Sequence, residues 1–185
     1  MKLWALITLA VSSPVVAQDL SRSERRAAKL SVEEVADRLE VSGQGALDPV
    51  LTISTQTIAS RRIGNDHFFR ARIDKATGEV AYQLYAIVEG REAMNPDRIT
   101  YALGSEIVQQ SADRIHFDVS CYRSNCTTIE HALAYIPASE AEAMGQCEND
   151  LLRFKMFGRS VDGVDLAFPC VELAGLLHAV KIAAN

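Results

Sequence analysis

Four cysteines and four histidines are the residues best equipped for chemistry in this 185-residue chain, and their spacing limits what that chemistry can be. Cys121 and Cys126 flank the polar stretch Tyr122-Arg123-Ser124-Asn125, while Cys147 and Cys170 follow further on. Four cysteines allow three pairings. The short polar loop favours Cys121 with Cys126, which leaves Cys147 with Cys170. By chain-entropy arguments the second bridge, closing a loop of roughly two dozen residues, is worth about 3 kcal/mol, more than the first.

A zinc cage of Cys121, Cys126, His131 and Cys147 is the rival use of the same atoms. The C-x4-C spacing is looser than the C-x2-C common in such cages, so no metal is expected. A redox couple would need C-x-x-C beside a helix N-terminus; the sequence has neither, and no cofactor is implied.

The histidines, His67, His116, His131 and His178, are scattered over segments that read as strands and a helix. An imidazole becomes a general base only beside a poised partner, and no G-x-S-x-G, S-x-x-K or H-E-x-x-H occurs. A hydrolase would have to use His116 or His131 with Asp118 or Glu130. Asp162 and Asp165 are further carboxylates that could pair across a cleft, but 24 acidic residues bring some pairs together by chance. No catalytic residue is assigned.

Basic residues alternate at two places, Arg70 with Arg72 and Arg153 with Lys155. Alternate strand residues share a face, so these four could form a patch that holds a carboxylate or phosphate through arginine forks. The plainer reading is a solvated face with cross-strand ion pairs, Arg70 or Arg72 meeting Glu79 or a neighbouring strand.

Residues 1–17 read as an export signal: Lys2 gives a positive start, Trp4 to Val11 an apolar run, Pro14 a break, and Val15-Val16-Ala17 a cleavage site. The run is shorter than the roughly 20 residues a membrane-spanning helix needs. Residues 18–185 are then expected as one α+β domain in the periplasm or outside a bacterial cell, where thiols are oxidised. Lys2 is the only charged residue in the signal, so the mature chain has 18 basic and 24 acidic residues and a net charge of −6. Nucleic acid and anionic membranes, bound through clustered Lys and Arg, are poor partners for it.

The elements that must position these side chains follow from periodicity. Ser31 with Glu34 makes a capping box for a helix over about 31–40. Val50 to Ile58 alternates as a strand. His67 to Ile73 and Glu79 to Glu89 form a hairpin whose Gly78 suits a left-handed turn position, with the second strand, apolar on both faces, central in the sheet and covered on both sides. Residues 98–110 read as one or two short strands broken at Gly104. Hairpins follow over 114–121 with 127–136 and over 151–157 with 164–168. A short helix near 138–145 is expected from a Ser139 cap, and a C-terminal helix from Pro169 in its first turn.

The expected fold is α+β, a mostly antiparallel sheet of about six to eight strands built from hairpins, with an N-terminal helix and those two later helices. The function expected is a non-enzymatic binding module of the bacterial envelope, taking an envelope protein or a small anionic ligand; an exported hydrolase is the alternative.

Overall fold

The computed structural model describes residues 20–59, 65–123, 125–148, 150–160 and 162–184. The export signal read over residues 1–17 lies outside them. Two short helices open the described chain, α1 (Arg22–Ala27) and α2 (Val32–Ala36). Each is started by the same device, a serine side chain accepting from the N3 backbone while the N3 glutamate accepts from the serine backbone: Ser21 with Glu24, Ser31 with Glu34.

The strands are β1 (Glu40–Ser42), β2 (Val50–Ser54), β3 (Asn65–Asp74), β4 (Val80–Gly90), β5 (Pro96–Leu103), β6 (Glu106–Tyr122), β7 (Asn125–Ile136), β8 (Leu151–Gly158) and β9 (Val164–Pro169). Helix α3 (Ala138–Met144) follows β7 and α4 (Cys170–Ala183) follows β9. The nine strands form one sheet in the order β1-β2-β3-β4-β7-β6-β5-β8-β9, antiparallel at every junction.

The sheet curls into a half-barrel, and side-chain contacts show how far. Phe69 on β3 reaches Phe168 on β9 with ring centroids 4.2 Å apart and Phe154 on β8 at 5.7 Å, although the strand order sets four strands between β3 and β8. Strand β6 makes the curl possible. Its first part pairs with β5 and its second part, from Ala112, pairs with β7, with a bulge at Ile115 that increases local twist.

The inner face carries the core: Ile53, Phe69, Leu84, Ile99, Phe154, Met156, Leu166 and Phe168 are all buried there. Helix α4 closes it with Leu173, Leu176, Leu177 and Val180, and α3 adds Ala141 and Met144. No described helix is long and apolar enough to cross a membrane.

Several expectations need correction. The sheet has nine strands, not six to eight, because Glu40–Ser42 joins its edge and residues 98–110 contribute to two strands joined by a tight turn at Gly104 (φ 60°). The second of these runs on without a break into the strand expected at 114–121. Helix α2 ends at Ala36 rather than near 40, since pairing of Glu40 with Ser54 draws the chain into the sheet; tertiary pairing overrides a weak helical period. Strand β2 stops at Ser54, not Ile58. Helix α3 begins at Ala138 after Pro137, without a side-chain cap from Ser139, and Pro169 is the residue before α4 rather than inside its first turn. Gly78 does take the left-handed turn conformation (φ 73°), and β4 does lie within the sheet, between β3 and β7, but only its Tyr82, Leu84, Ala86 and Val88 face joins the core; the face with Tyr85 and Ile87, expected to be covered too, stays partly exposed.

Candidate ligand-binding site

Both disulfides expected from spacing are formed, Cys121 with Cys126 and Cys147 with Cys170. No cysteine is free, which leaves the zinc cage without its three thiolates. Among the described residues no group of three or more metal-ligating side chains converges.

The helices cover one face of the sheet; the chemistry collects on the other. Register decides which residues share that face. On β3 and β4, Arg70 stands opposite Gln83 and Phe68 opposite Tyr85. On β4 and β7, Gln83 stands opposite Tyr135, Tyr85 opposite Leu133 and Ile87 opposite His131. On β7 and β6, His131 stands opposite His116 and Ile129 opposite Asp118. Arg70, Gln83, Tyr85, His131, His116 and Asp118 therefore lie on one side of four neighbouring strands.

Their contacts make a connected set. The Phe68 and Tyr85 rings stack with centroids 4.8 Å apart. Above Tyr85 sits the Arg70 guanidinium, 5.0 Å from the ring centroid, and its Nε donates to Gln83 Oε1 at 2.5 Å. Tyr85 OH and His131 Nδ1 are 2.5 Å apart, and the His131 and His116 rings meet edge to face at 4.9 Å. Next to them β1 and β2 supply Glu40, Ser42, Thr52 and Ser54 to a groove of about 290 Å³ with Arg70, Tyr85 and His131 on its wall.

Electrostatics in the groove follow from partial burial. Desolvation pulls the Arg70 pKa down from its ordinary value, an effect opposed by Tyr85 and reinforced by Arg72; a guanidinium stays charged regardless. Among the described residues no carboxylate pairs with Arg70. Burial raises the Tyr85 pKa, against the pull of Arg70. It lowers that of His131, and His116 lowers it further. The amide nitrogen Nε2 of Gln83, whose side chain is 1% exposed, has no hydrogen-bond partner among the described residues. It belongs to the wall of a second depression of about 190 Å³ that also holds Arg72, Asp74 and Glu79.

Of the four basic residues singled out by alternation, Arg70 and Arg72 lie side by side on β3, whereas Arg153 and Lys155 lie on β8, five places along the strand order. At about 4.8 Å per strand the two pairs do not form one surface. Lys155 stands opposite Asp165 across the β8–β9 ladder.

The acids named for a hydrolase separate as well. Glu130 neighbours His131 in sequence and so points to the opposite face, where its buried carboxylate accepts from the backbone N–H groups of Met94 and Asn95 and pairs with Arg114 at 3.2 Å. Asp162 and Asp165 belong to the β8–β9 end. His67 is buried on the core side, edge-on to Phe168, with Nε2 3.0 Å from the Ala167 carbonyl oxygen. His178 lies on α4 beside Glu142 and Lys181.

Sequence reasoning passed over Gln83, Tyr85 and Phe68. The alternation on β4 that places Gln83, Tyr85 and Ile87 together was visible, but it reads equally as a strand covered on both sides. Comparison of the chain with protein-family models, curated proteins and solved structures gives no match, so the function of this face has to be argued from its own geometry.

Proposed function

We propose that the chain is an exported binding module whose uncovered sheet face takes a small anionic ligand, the anion on Arg70 and an apolar or aromatic body along Tyr85 and Ile87. The observation that carries this reading is Arg70 itself: a half-buried cation lying on an aromatic ring with no carboxylate partner among the described residues. A cation withdrawn from water without a counter-ion is costly, and an incoming carboxylate or phosphate would offset that cost through charge-assisted hydrogen bonds. The groove volume of about 290 Å³ falls just below the usual range for ligand sites, roughly 300 Å³ and above, which suits a small ligand. The two disulfides support an oxidising destination, periplasm or exterior.

Hydrolysis with His116 or His131 as general base is the competing reading, and the contact between these two histidines, with Asp118 on the same face, is the observation in its favour. Titration of the mature, disulfide-intact chain with phenyl phosphate, benzoate and inorganic phosphate, followed by calorimetry and by amide NMR shifts, separates the two. Saturable binding of phenyl phosphate or benzoate that weakens about tenfold in Arg70→Gln, and is unchanged in Arg153→Gln, is the expected result. Failure of all three probes to bind at millimolar concentration would sink the anion site, while turnover of an aryl ester abolished by His131→Gln would favour the enzyme.

A further inference from the structure

We propose that the outer edge of β6 is a dimerisation edge: two copies of this chain pair antiparallel through Ile115 to Val119, with the two-fold axis at Phe117. Beyond Ala112, strand β6 has β7 on one side and, among the described residues, no strand on the other, since its pairing with β5 ends at Ser111. All residues from Asp113 to Tyr122 are exposed. Exposed edges are ordinarily blunted by Lys, Pro or brevity. This one has neither residue, its bulge lies at Ile115 where the free stretch begins, and it shows Ile115, Phe117 and Val119 at 47%, 43% and 46% exposure.

The backbone is set up to pair outward at the apolar positions. The Cα atoms of Cys121 and Cys126 are 4.1 Å apart, the spacing of a non-hydrogen-bonded antiparallel pair, so the N–H and C=O of Cys121 point away from β7. Alternation extends this along the strand: Val119 and Phe117 also direct their backbone groups to the free edge, where the Val119 N–H donates to Asp118 Oδ1 at 2.7 Å, a local bond that a second copy would replace, while Asp118 and His116 bond to β7.

A second copy satisfies that edge and reads as its complement. With the axis at Phe117, the two Phe117 residues exchange both backbone hydrogen bonds, Val119 of each copy lies opposite Ile115 of the other, and His116 of each lies opposite Asp118 of the other. Both charged pairs fall on the uncovered face and the apolar pairs in the other row. Moving the axis to residue 118 would oppose two aspartates, which cross-strand energetics disfavours. The bulge at Ile115 ends the ladder there, so the contact is short and the dimer is micromolar rather than nanomolar.

Sedimentation of the mature, disulfide-intact chain tests this. Reversible dimerisation is expected. Phe117→Pro removes an N–H that faces outward and the ring beneath the Arg114 guanidinium, neither of which bonds to β7, so it should leave the Cys121–Cys126 bridge and the circular dichroism spectrum intact and give a monomer. Asp118→Lys, which spares the backbone, should weaken the dimer about tenfold by placing lysine opposite His116, and His116→Asp added to it should restore association. A chain monomeric up to about 1 mM, a dimer indifferent to both Phe117→Pro and Asp118→Lys, or an edge that takes an extended peptide but never a second copy would each overturn the proposal.

Discussion

Tyr85 OH lies 2.5 Å from His131 Nδ1, tying β4 to β7 across the uncovered face. A neutral imidazole that accepts at Nδ1 carries its proton on Nε2, so the contact orients the ring and favours the uncharged form. Burial and the nearby His116 act in the same direction. His131 should therefore titrate below the ordinary histidine value of 6.5, and Tyr85→Phe should move its pKa upward. Chemical shifts of the imidazole carbons across pH 4 to 8 would measure both; a His131 midpoint at or above 6.5 in the parent chain would remove the argument.

The same depression makes stability depend on pH in a definite direction. Between the lowered folded pKa and the unfolded value near 6.5, the unfolded chain binds more protons than the folded one, so stability rises with pH across that window. The contribution is complete above about pH 6.5 and is lost as pH falls through the folded pKa. Urea midpoints at pH 7.5 and 5 should differ in that sense for the parent chain, and by less for His131→Gln. An equal pH slope in both would place the titration elsewhere.

Glu130 is 1% exposed and holds the β4–β5 connection through Met94, Asn95 and the Arg114 guanidinium. Replacing it by Gln keeps the shape and loses the charge, at a cost of about 2 kcal/mol. Glu130→Ala leaves two backbone donors without their acceptor and should cost about 3 kcal/mol or more. Chemical denaturation would measure both. Because this carboxylate faces away from His131, neither substitution should change ligand titrations at Arg70 beyond what stability explains.

The contrast between Glu130 and His131 also marks where the sequence stops being legible. Hairpins announced themselves through alternation and turn glycines, and Ser31 with Glu34 announced a helix start, because those signals are local and the chain obeys them locally. The register that places Arg70 against Gln83 and Ile87 against His131 depends on which strands become neighbours, and β4 meets β7 rather than β5 only after the chain has folded back over two strands. Arg70 and Arg153 looked equivalent as alternating bases for that reason; strand order, which no local pattern records, separated them. The three-residue strand Glu40–Ser42 was hidden because its pairing with β2, not its composition, makes it a strand.

The two disulfides should differ in accessibility and in worth. Cys121 and Cys126 are both exposed at the hairpin end, whereas the second bridge joins an exposed Cys147 to Cys170, the first residue of α4, which is 2% exposed. Mild reductant should open the first bridge while leaving the second closed, as read by alkylation and mass spectrometry. With separations of 5 and 23 residues, chain entropy assigns about 2 and about 3 kcal/mol respectively. Paired Cys→Ser variants should follow that order in denaturation midpoints; a larger loss from the Cys121–Cys126 pair would contradict it.

Gly175 lets α4 approach α2 closely. A β-carbon built there would sit 2.4 Å from Val35 Cγ1 and 2.7 Å from its Cβ, and Val35 is fully buried. Two effects oppose each other in Gly175→Ala. Alanine gains about 1 kcal/mol of helix propensity over glycine, while overpacking a filled contact costs about 1 to 3 kcal/mol. Val35 is β-branched and stiff at χ1, so it cannot swing aside, and the packing cost should win. Destabilisation by Gly175→Ala that is relieved only in part when Val35→Ala is added, since Cγ1 is removed but the Cβ at 2.7 Å stays, is the expected outcome in paired denaturation curves. If Gly175→Ala alone stabilises the chain, the helices are free to separate and the close approach does not hold α2 in place.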